Sequence, residues 1–229
     1  NVFPNTSEAQ VMEKGNNIIC NVLYKNKGGV YSRYQQDNII AGNVMYGNVE
    51  NGIFLHYHSS GPSTYTARTK IYNNTIVGNG THGIWDANAT YLTIKNNILM
   101  NQATTDKYYE IYVGSSVKTG HAIDYNLYYP NVSQLINWGG TRYSLSTMRS
   151  SLGFETHGVA VDPKFKNLSG NDYTLLTNSP AIDVGANVAS DGIAVDLTGL
   201  IRPQGTAFDM GAYEAAGGAA PSVPVPPAP

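Results

Sequence analysis

The stretch "KIYNNTIVGNGTHGIWD", Lys70 to Asp86, holds two short apolar runs separated by asparagines and glycines. Similar segments recur along the chain, since "DNIIAGN", "NNTIVGN" and the shorter "NNIICN" and "NNILMN" share an asparagine, a central aliphatic residue and a closing asparagine. The central residues are Ile19, Ile40, Ile76 and Leu99, and the closing residues are Asn21, Asn43, Asn79 and Asn101. The closing positions follow each other at intervals of 22, 36 and 22 residues, which indicates a repeating structure.

Two further families of short apolar segments accompany the first. "GGVYSR", "NGIFLHYH", "HGIWDA" and "YEIYVG" form the second, centred on Val30, Ile53, Ile84 and Ile111, and "TKIYNN", "LTIKNN" and "HAIDYN" form the third. Three short strands in about 22 residues is the period of a solenoid, in which equivalent side chains stack along the axis. The repeats therefore predict a parallel β-coil of about five coils, with Ile19, Ile40, Ile76 and Leu99 in one interior column.

These repeats, from roughly residue 16 to residue 129, resemble the right-handed parallel β-helix proteins of the pectate-lyase-like superfamily. The later segments "VDPKFKN", "GNDYTLLTNSPAIDVG" and "DLTGLIRPQGTAFDMGAYE" are similar to the closing region of bacterial secreted and surface β-helix proteins. The resemblance implies an all-β, right-handed parallel β-helix with an irregular C-terminal closing region. It also implies a polysaccharide as partner, a secreted or cell-surface location, and a chain that is the C-terminal portion of a longer helix.

Composition agrees with a folded protein made of strands and many turns. Hydrophobic residues make up 41% of the chain and charged residues 13%, and there are 24 glycines and 17 tyrosines. A formal net charge of -2 provides no basic surface for nucleic acid, and no run approaches the roughly 18 apolar residues of a membrane span. The single cysteine, Cys20, excludes an internal disulfide and is expected in the core.

The chain divides into two parts by composition. Residues 1–214 are predicted to form the β-helix, with its closing region from about residue 130. From Ala215 the sequence changes to "AAGGAAPSVPVPPAP", which has no charged or aromatic residue. A segment of this kind is typical of a semi-rigid linker to a further module, or of a disordered tail.

Alternation in the second strand family predicts a row of aromatic side chains on the outer surface. If Val30, Ile53, Ile84 and Ile111 point inward, the residues that follow them, Tyr31, Phe54, Trp85 and Tyr112, point outward on four successive coils. Aromatic rings stack on the apolar faces of sugars, so the row fits a groove for a linear polysaccharide. Packing of the same rings beneath a covering loop is the alternative interpretation.

The longest interval between closing asparagines contains "HYHSSGPSTYTARTK", which we expect to form a loop. The candidate catalytic residues are His56, Tyr57, His58, Arg33, Arg68 and Lys70, and Tyr65 is a further candidate for substrate binding. In a lyase, His56 or Tyr57 would remove a proton, and Arg33, Arg68 or Lys70 would hold the carboxylate of an acidic sugar. By the same alternation Asp86 points inward.

Simpler interpretations of the polar residues stay open. His56 and His58 can be exposed residues at a strand end, or two ligands of a metal site that lacks an evident third. The chain has no counterpart of the acidic clusters of calcium-dependent pectate lyases, since Asp37, Asp86, Asp106 and Asp124 are scattered. We therefore expect no metal or other cofactor; bound calcium is possible but not indicated. We interpret the closing-region carboxylates as structural, with Arg202 paired to one of them; they are Asp162, Asp172, Asp183, Asp196, Asp209 and Glu214.

Two functions remain at this stage. The first is a secreted protein that binds or degrades a polysaccharide, as a lyase or glycoside hydrolase. The second is a non-catalytic surface, adhesive or filament-forming protein that associates through its solenoid ends or through a module after the Pro-rich tail. The sequence leaves open whether the protein is an enzyme.

Overall fold

The computed structural model describes residues 15–33, 35–56, 68–87, 90–102, 107–117 and 120–216. The strands of the coiled region are β1 (Asn17–Ile19), β2 (Val22–Tyr24), β3 (Val30–Arg33), β4 (Ile39–Ala41), β5 (Val44–Tyr46), β6 (Ile53–His56), β7 (Lys70–Tyr72), β8 (Thr75–Val77), β9 (Ile84–Asp86), β10 (Thr93–Lys95), β11 (Ile98–Met100), β12 (Ile111–Val113), β13 (Ala122–Asp124), β14 (Leu127–Tyr129) and β15 (Ile136–Trp138). The closing elements are β16 (Thr141–Tyr143), α1 (Leu145–Leu152), β17 (Val159–Ala160), β18 (Phe165–Asn167) and β19 (Asp172–Leu175), with 3-10 turns at Leu168–Gly170 and Ala189–Asp191.

From β4 to β15, each strand pairs in parallel with the strand three positions earlier in the chain, which is the connectivity of a solenoid. The first sheet has the order β1-β4-β7-β10-β13, the second β2-β5-β8-β11-β14-β17, and the third β3-β6-β9-β12-β15, to which β16 adds in the antiparallel sense. The predicted all-β, right-handed parallel β-helix is confirmed. The strands are only two to four residues long, because the chain turns a corner after each of them.

Three columns of mainly aliphatic side chains fill the interior, one from each sheet. The first contains Ile18, Ile40, Ile71, Ile94 and Ile123, the second Leu23, Met45, Ile76, Leu99 and Tyr128, and the third Val30, Ile53, Ile84, Ile111 and Ile136. The single column predicted for Ile19, Ile40, Ile76 and Leu99 is wrong. Ile40 lies in the first sheet, while Ile76 and Leu99 lie in the second, because "NIIAGN" and "NTIVGN" look alike but belong to different faces.

Asparagine side chains line two corners of the helix in continuous hydrogen-bonded ladders. In the first ladder, each Asn donates its side-chain N–H and its backbone N–H to the amide oxygen of the Asn one coil further on; its members are Asn21, Asn43, Asn74, Asn97, Asn126 and finally Glu155. The second ladder runs through Asn48, Asn79, Gln102 and Glu110. The predicted closing residues Asn21 and Asn43 belong to the first ladder and Asn79 to the second. Asn101 belongs to neither and adopts a left-handed backbone conformation beside Gln102.

The corner before the third sheet is built from glycines, because the coils approach each other closely there. A Cβ atom on Gly52 would lie 2.4 Å from Ile76 Cγ2 and 2.7 Å from the carbonyl oxygen of Gly83. Gly83 follows at the equivalent position of the next coil, since its N–H group donates to Tyr109 as that of Gly52 donates to His82. The corner places β6 and β9 directly above one another and so aligns the outward side chains of the third sheet.

The closing region covers two of the three outer faces. Phe165, Tyr173 and Met210 pack on the outward residues of the second sheet, such as Val44 and Val77. Val188, Ile193 and Phe208 pack on Ala41 and Tyr72 of the first sheet. Helix α1 inserts Leu145 and Met148 into the end of the interior core. Of the predicted linker, residues 217–229 lie outside the described part of the chain.

Candidate functional site

The outer face of the third sheet carries the predicted row of aromatic side chains. Tyr31, Phe54, Trp85 and Tyr112 occupy equivalent positions on β3, β6, β9 and β12. Neighbouring ring centroids are 4.9, 4.6 and 6.0 Å apart, and the planes are tilted by 49 to 82°. Tyr31 is 61% exposed and the other three rings are half-buried. We call these four residues the aromatic row.

A cleft of about 220 Å³ opens beside the first two rings of the aromatic row. It is lined by Lys27, Gly28, Val30, Tyr31, Glu50, Asn51 and Phe54. Lys27 Nζ and Glu50 Oε1 form an exposed ion pair of 3.5 Å at its rim. The amide oxygen of Asn51 is held in place because it accepts hydrogen bonds from the Thr81 hydroxyl, at 2.7 Å, and from the backbone N–H of His82. The cleft thus combines an aromatic wall with fixed polar groups.

His82 lies behind the far half of the aromatic row, and the sequence analysis did not single it out. Its ring centroid is 5.5 Å from that of Trp85 and 5.0 Å from that of Tyr112. Nδ1 accepts a hydrogen bond of 3.0 Å from the backbone N–H of Tyr109, and burial lowers the pKa of His82 to about 4. The imidazole is therefore neutral at neutral pH and acts as a packing surface. Its position directly before "GIWD" was the only sequence signal.

The predicted catalytic residues Arg33 and His56 lie next to each other. Arg68 and Lys70 form ion pairs elsewhere on the coils. Arg33 and His56 are register partners on β3 and β6, and the ring of His56 is 5.6 Å from that of Phe54. Arg68 forms hydrogen bonds of 2.5 and 2.7 Å to the two carboxylate oxygens of Asp37.

Lys70 lies on β7, in the first sheet, where its ammonium group forms a 2.5 Å ion pair with Asp191 of the closing region. Lys70 therefore points to the outer face of the first sheet, on which the closing region packs. Tyr57, His58 and Tyr65 lie outside the described residues. Residues 57–67, which make up most of the predicted loop between β6 and β7, lie outside the described part of the chain. Asp86 is fully buried, as expected.

The carboxylates of the closing region hold its turns together. Glu214 forms a buried 2.6 Å ion pair with Arg202 and also accepts the backbone N–H of Gln204. Asp196 accepts the backbone N–H groups of Thr198, Leu200 and Glu214. Burial raises the pKa of Asp209 to about 6. These contacts agree with the structural interpretation, and the Arg202 pairing is found with Glu214.

A comparison with models of protein families identifies the family of this chain. Residues 3–146 match the family model described as periplasmic copper-binding protein (NosD), which spans all five strands of the first sheet and the aromatic row. The chain belongs to the NosD family. A comparison with curated proteins gives no match. The periplasmic description of the NosD family agrees at a coarse level with the expected location outside the cytoplasm. Among the described residues, no helix is long and apolar enough to cross a membrane.

The NosD family description names copper, so the described side chains can be compared with the ligands that copper uses. Copper sites in proteins use imidazole nitrogen and the sulfur of Cys or Met. Across the described ranges, no three His, Cys, Asp or Glu residues are grouped so that they could share a metal ion. The thiol of Cys20 donates to the carbonyl oxygen of Asp196, and burial raises its pKa. His121 is enclosed against Trp138, and His157 Nδ1 lies 2.8 Å from Asp124 Oδ2. The His, Cys, Asp and Glu residues of the described chain therefore do not form a copper centre among themselves.

Proposed function

We propose that this NosD-family protein acts outside the cytoplasm and binds a polysaccharide along the aromatic row. The observation that carries the proposal is the alignment of Tyr31, Phe54, Trp85 and Tyr112 on the face that the closing region leaves uncovered in the described part of the chain. Coils of about 4.8 Å give the row a length of about 14 Å between its end residues. A surface of this length fits several sugar units of one extended chain.

The chemistry of the cleft supports a sugar ligand. Sugar rings have an apolar face, which stacks on an aromatic ring, and a rim of hydroxyl groups, which need hydrogen-bond partners. Tyr31 and Phe54 supply the aromatic surface, and Lys27, Glu50 and Asn51 supply polar groups beside it. Asn51 is already oriented by Thr81 and His82, so that little side-chain entropy is lost on binding.

Catalysis by the same face is the second candidate function, because Arg33 and His56 are adjacent in register. In this version His56 acts as the base and Arg33 holds the carboxylate of an acidic sugar. Binding without turnover is the better-supported version. Arg68 forms an ion pair with Asp37 and Lys70 forms one with Asp191.

An assembly role through the solenoid ends has less support. Helix α1 packs into the C-terminal end of the core, and β16 adds to the edge of the third sheet in the antiparallel sense. An antiparallel strand at this edge interrupts the parallel pairing by which the coils stack on one another. We propose polysaccharide, rather than another copy of the chain, as the partner, because the aromatic row lies on the outer face of the third sheet and not at an end of the solenoid.

The test is a binding panel of alginate, pectin, a glycosaminoglycan and xylan, measured by isothermal titration calorimetry and by quenching of Trp fluorescence. We expect one or more of these polymers to bind, and Tyr31→Ala and Trp85→Ala each to weaken binding by about 10-fold or more. Tyr24→Ala is the matched control, because Tyr24 is an exposed tyrosine of the second sheet, stacked on Tyr46.

Absorbance at 235 nm, from new unsaturated ends, separates the two versions. An increase that is lost in His56→Ala identifies a lyase, whereas binding without an increase supports a binding protein. Equal affinity in Tyr31→Ala, Trp85→Ala and Tyr24→Ala would exclude the aromatic row as the site.

A further inference from the structure

Both asparagine ladders end at a buried glutamate. At the end of the first, Glu155 Oε1 accepts hydrogen bonds from the side-chain N–H of Asn126, at 2.7 Å, and from the hydroxyl of Tyr128, at 2.6 Å. Oε2 accepts the backbone N–H of Asn126 at 3.3 Å. Glu110 accepts the corresponding two N–H groups of Gln102 at the end of the second ladder. All donors of a ladder point towards its C-terminal end, so the last member must be an acceptor.

The loop 153–158 is shaped around the carboxyl group of Glu155. A Cβ atom on Gly158 would lie 2.2 Å from Oε2, so only glycine leaves room for the carboxyl group. The backbone N–H of Glu155 donates to Ile123 of β13 at 2.8 Å. Arg149 of α1 donates from Nε to the carbonyl oxygen of Glu155 and from its second terminal nitrogen to that of Gly158, both at 2.8 Å. The loop therefore joins α1 to the last coil, with the carboxyl group at its centre.

The surroundings of this carboxyl group favour its protonated form. Glu155 is fully buried, and burial raises its pKa to about 7 although three hydrogen bonds act in the opposite direction. The charged and titratable groups around it are Asp124 on β13, Tyr128 on β14, Arg149 on α1 and, beyond Tyr128, Glu110. His157 of the loop lies next to Asp124, with its Nδ1 2.8 Å from Asp124 Oδ2. In the described chain no basic side chain forms an ion pair with the Glu155 carboxylate, and Arg149 contacts only backbone oxygens of the loop.

We propose that the loop 153–158 is a proton-sensitive latch, which the protonated Glu155 keeps docked on the last coil and which the ionised Glu155 opens. An ionised carboxylate without a cation partner is costly in a buried site. The least expensive way to hydrate it is a local opening that lifts the loop while the coils stay intact. Opening removes the last acceptor of the first ladder and loosens the contact between α1 and the core.

The sign of the pH dependence follows from the raised pKa. The pKa of Glu155 is about 4.5 in the unfolded chain and about 7 in the folded protein. Its contribution to stability is therefore fully present below pH 4.5 and is lost as the pH rises through about 7. The neutral His82 acts in the opposite direction, because its pKa is lowered by burial. The pH dependence of the unfolding free energy of the wild type therefore combines the opposite effects of Glu155 and His82. A comparison with Glu155→Gln isolates the glutamate, since His82 is present in both proteins.

The test uses the full chain and measures urea unfolding at pH 5, 6, 7 and 8 for the wild type, Glu155→Gln and Glu50→Gln. Glu50→Gln is the control for loss of one carboxylate, because Glu50 lies on the surface in an ion pair with Lys27. We expect the unfolding constant of the wild type, divided by that of Glu155→Gln, to rise by about 100-fold between pH 5 and pH 8. The ratio for Glu50→Gln should change by less than about 3-fold. Equal profiles for wild type and Glu155→Gln overturn the proposal.

Hydrogen exchange supplies a second measurement, which does not require the glutamine variant to fold. After correction for the intrinsic rates, protection of the amides at 153–158 in the wild type should fall between pH 6 and pH 8, while protection of β9 stays constant. In Gly158→Ala, which displaces the carboxyl group, the loop amides should be weakly protected at both values. Constant protection of the wild-type loop, or a wild-type profile in Gly158→Ala, contradicts the latch.

Discussion

Replacement of Asn97 by alanine should be among the most destabilising changes to a polar residue of this protein. The fully buried side chain of Asn97 accepts hydrogen bonds from the backbone and side-chain N–H groups of Asn74, at 3.0 and 2.9 Å. It donates to the carbonyl oxygen of Ile71 and to the amide oxygen of Asn126, both at 2.9 Å. Asn97→Ala leaves two to three buried groups without partners, at about 1 to 3 kcal/mol each, so we expect a loss of about 4 kcal/mol.

The matched control is Asn21→Ala, which removes the exposed first member of the same ladder. Its side chain donates to Ile19 and Asn43, and water can replace it, so the loss should be about 1 kcal/mol. Asn97→Asp should cost at least as much as Asn97→Ala at pH 7, because a carboxylate would face the acceptor oxygens of Ile71 and Asn126. Urea unfolding followed by circular dichroism measures all three. If Asn97→Ala and Asn21→Ala differ by less than about 1 kcal/mol, the ladder does not stabilise the coils as described.

Three further predictions concern single buried positions. The pKa of His82 is about 4 in the folded protein and about 6.5 in the unfolded chain. About 3 kcal/mol of stability is therefore lost as the pH falls from 6.5 to 4. His82→Phe should remove most of that loss in an acid-unfolding series, and an unchanged series would show that another group causes it. Arg202→Ala should cost about 3 to 5 kcal/mol in urea unfolding, because it leaves the carboxylate of Glu214 buried and unpaired, and a loss below about 1 kcal/mol would contradict the pairing. Gly52→Ala should lower the melting temperature by several degrees, since the added carbon meets Ile76, whereas a rise would show that the corner has room.

Much of the fold was predictable from the repeat, while the register was not. The second strand family was aligned correctly, and Val30, Ile53 and Ile84 do form one interior column. The first family combined segments from two sheets, because an aliphatic pair followed by a closing asparagine suits either of two corners. The column proposed from Ile19 and Ile76 failed for this reason. The true spacing of the first ladder varies from 22 to 31 residues, so a constant interval could not identify it.

The candidate site shows a similar division. Alternation along a strand placed Tyr31 and Trp85 on the outer face, because successive side chains of a strand point to opposite sides. It could not show that Lys70 is paired with Asp191, more than a hundred residues away, or that His82 supports the far half of the row. Both depend on how later segments fold back, which short-range patterns do not encode.

The amino-acid sequence alone determined that the chain winds into stacked coils and which residues of the third sheet face outward, because period and alternation are local properties of a strand repeat. The tertiary structure decided which faces remain accessible. The closing region folds back over the first two sheets, and burial there depends on contacts between residues far apart in the chain. The same long-range contacts place Glu155 at the end of an asparagine ladder, where burial sets its affinity for a proton.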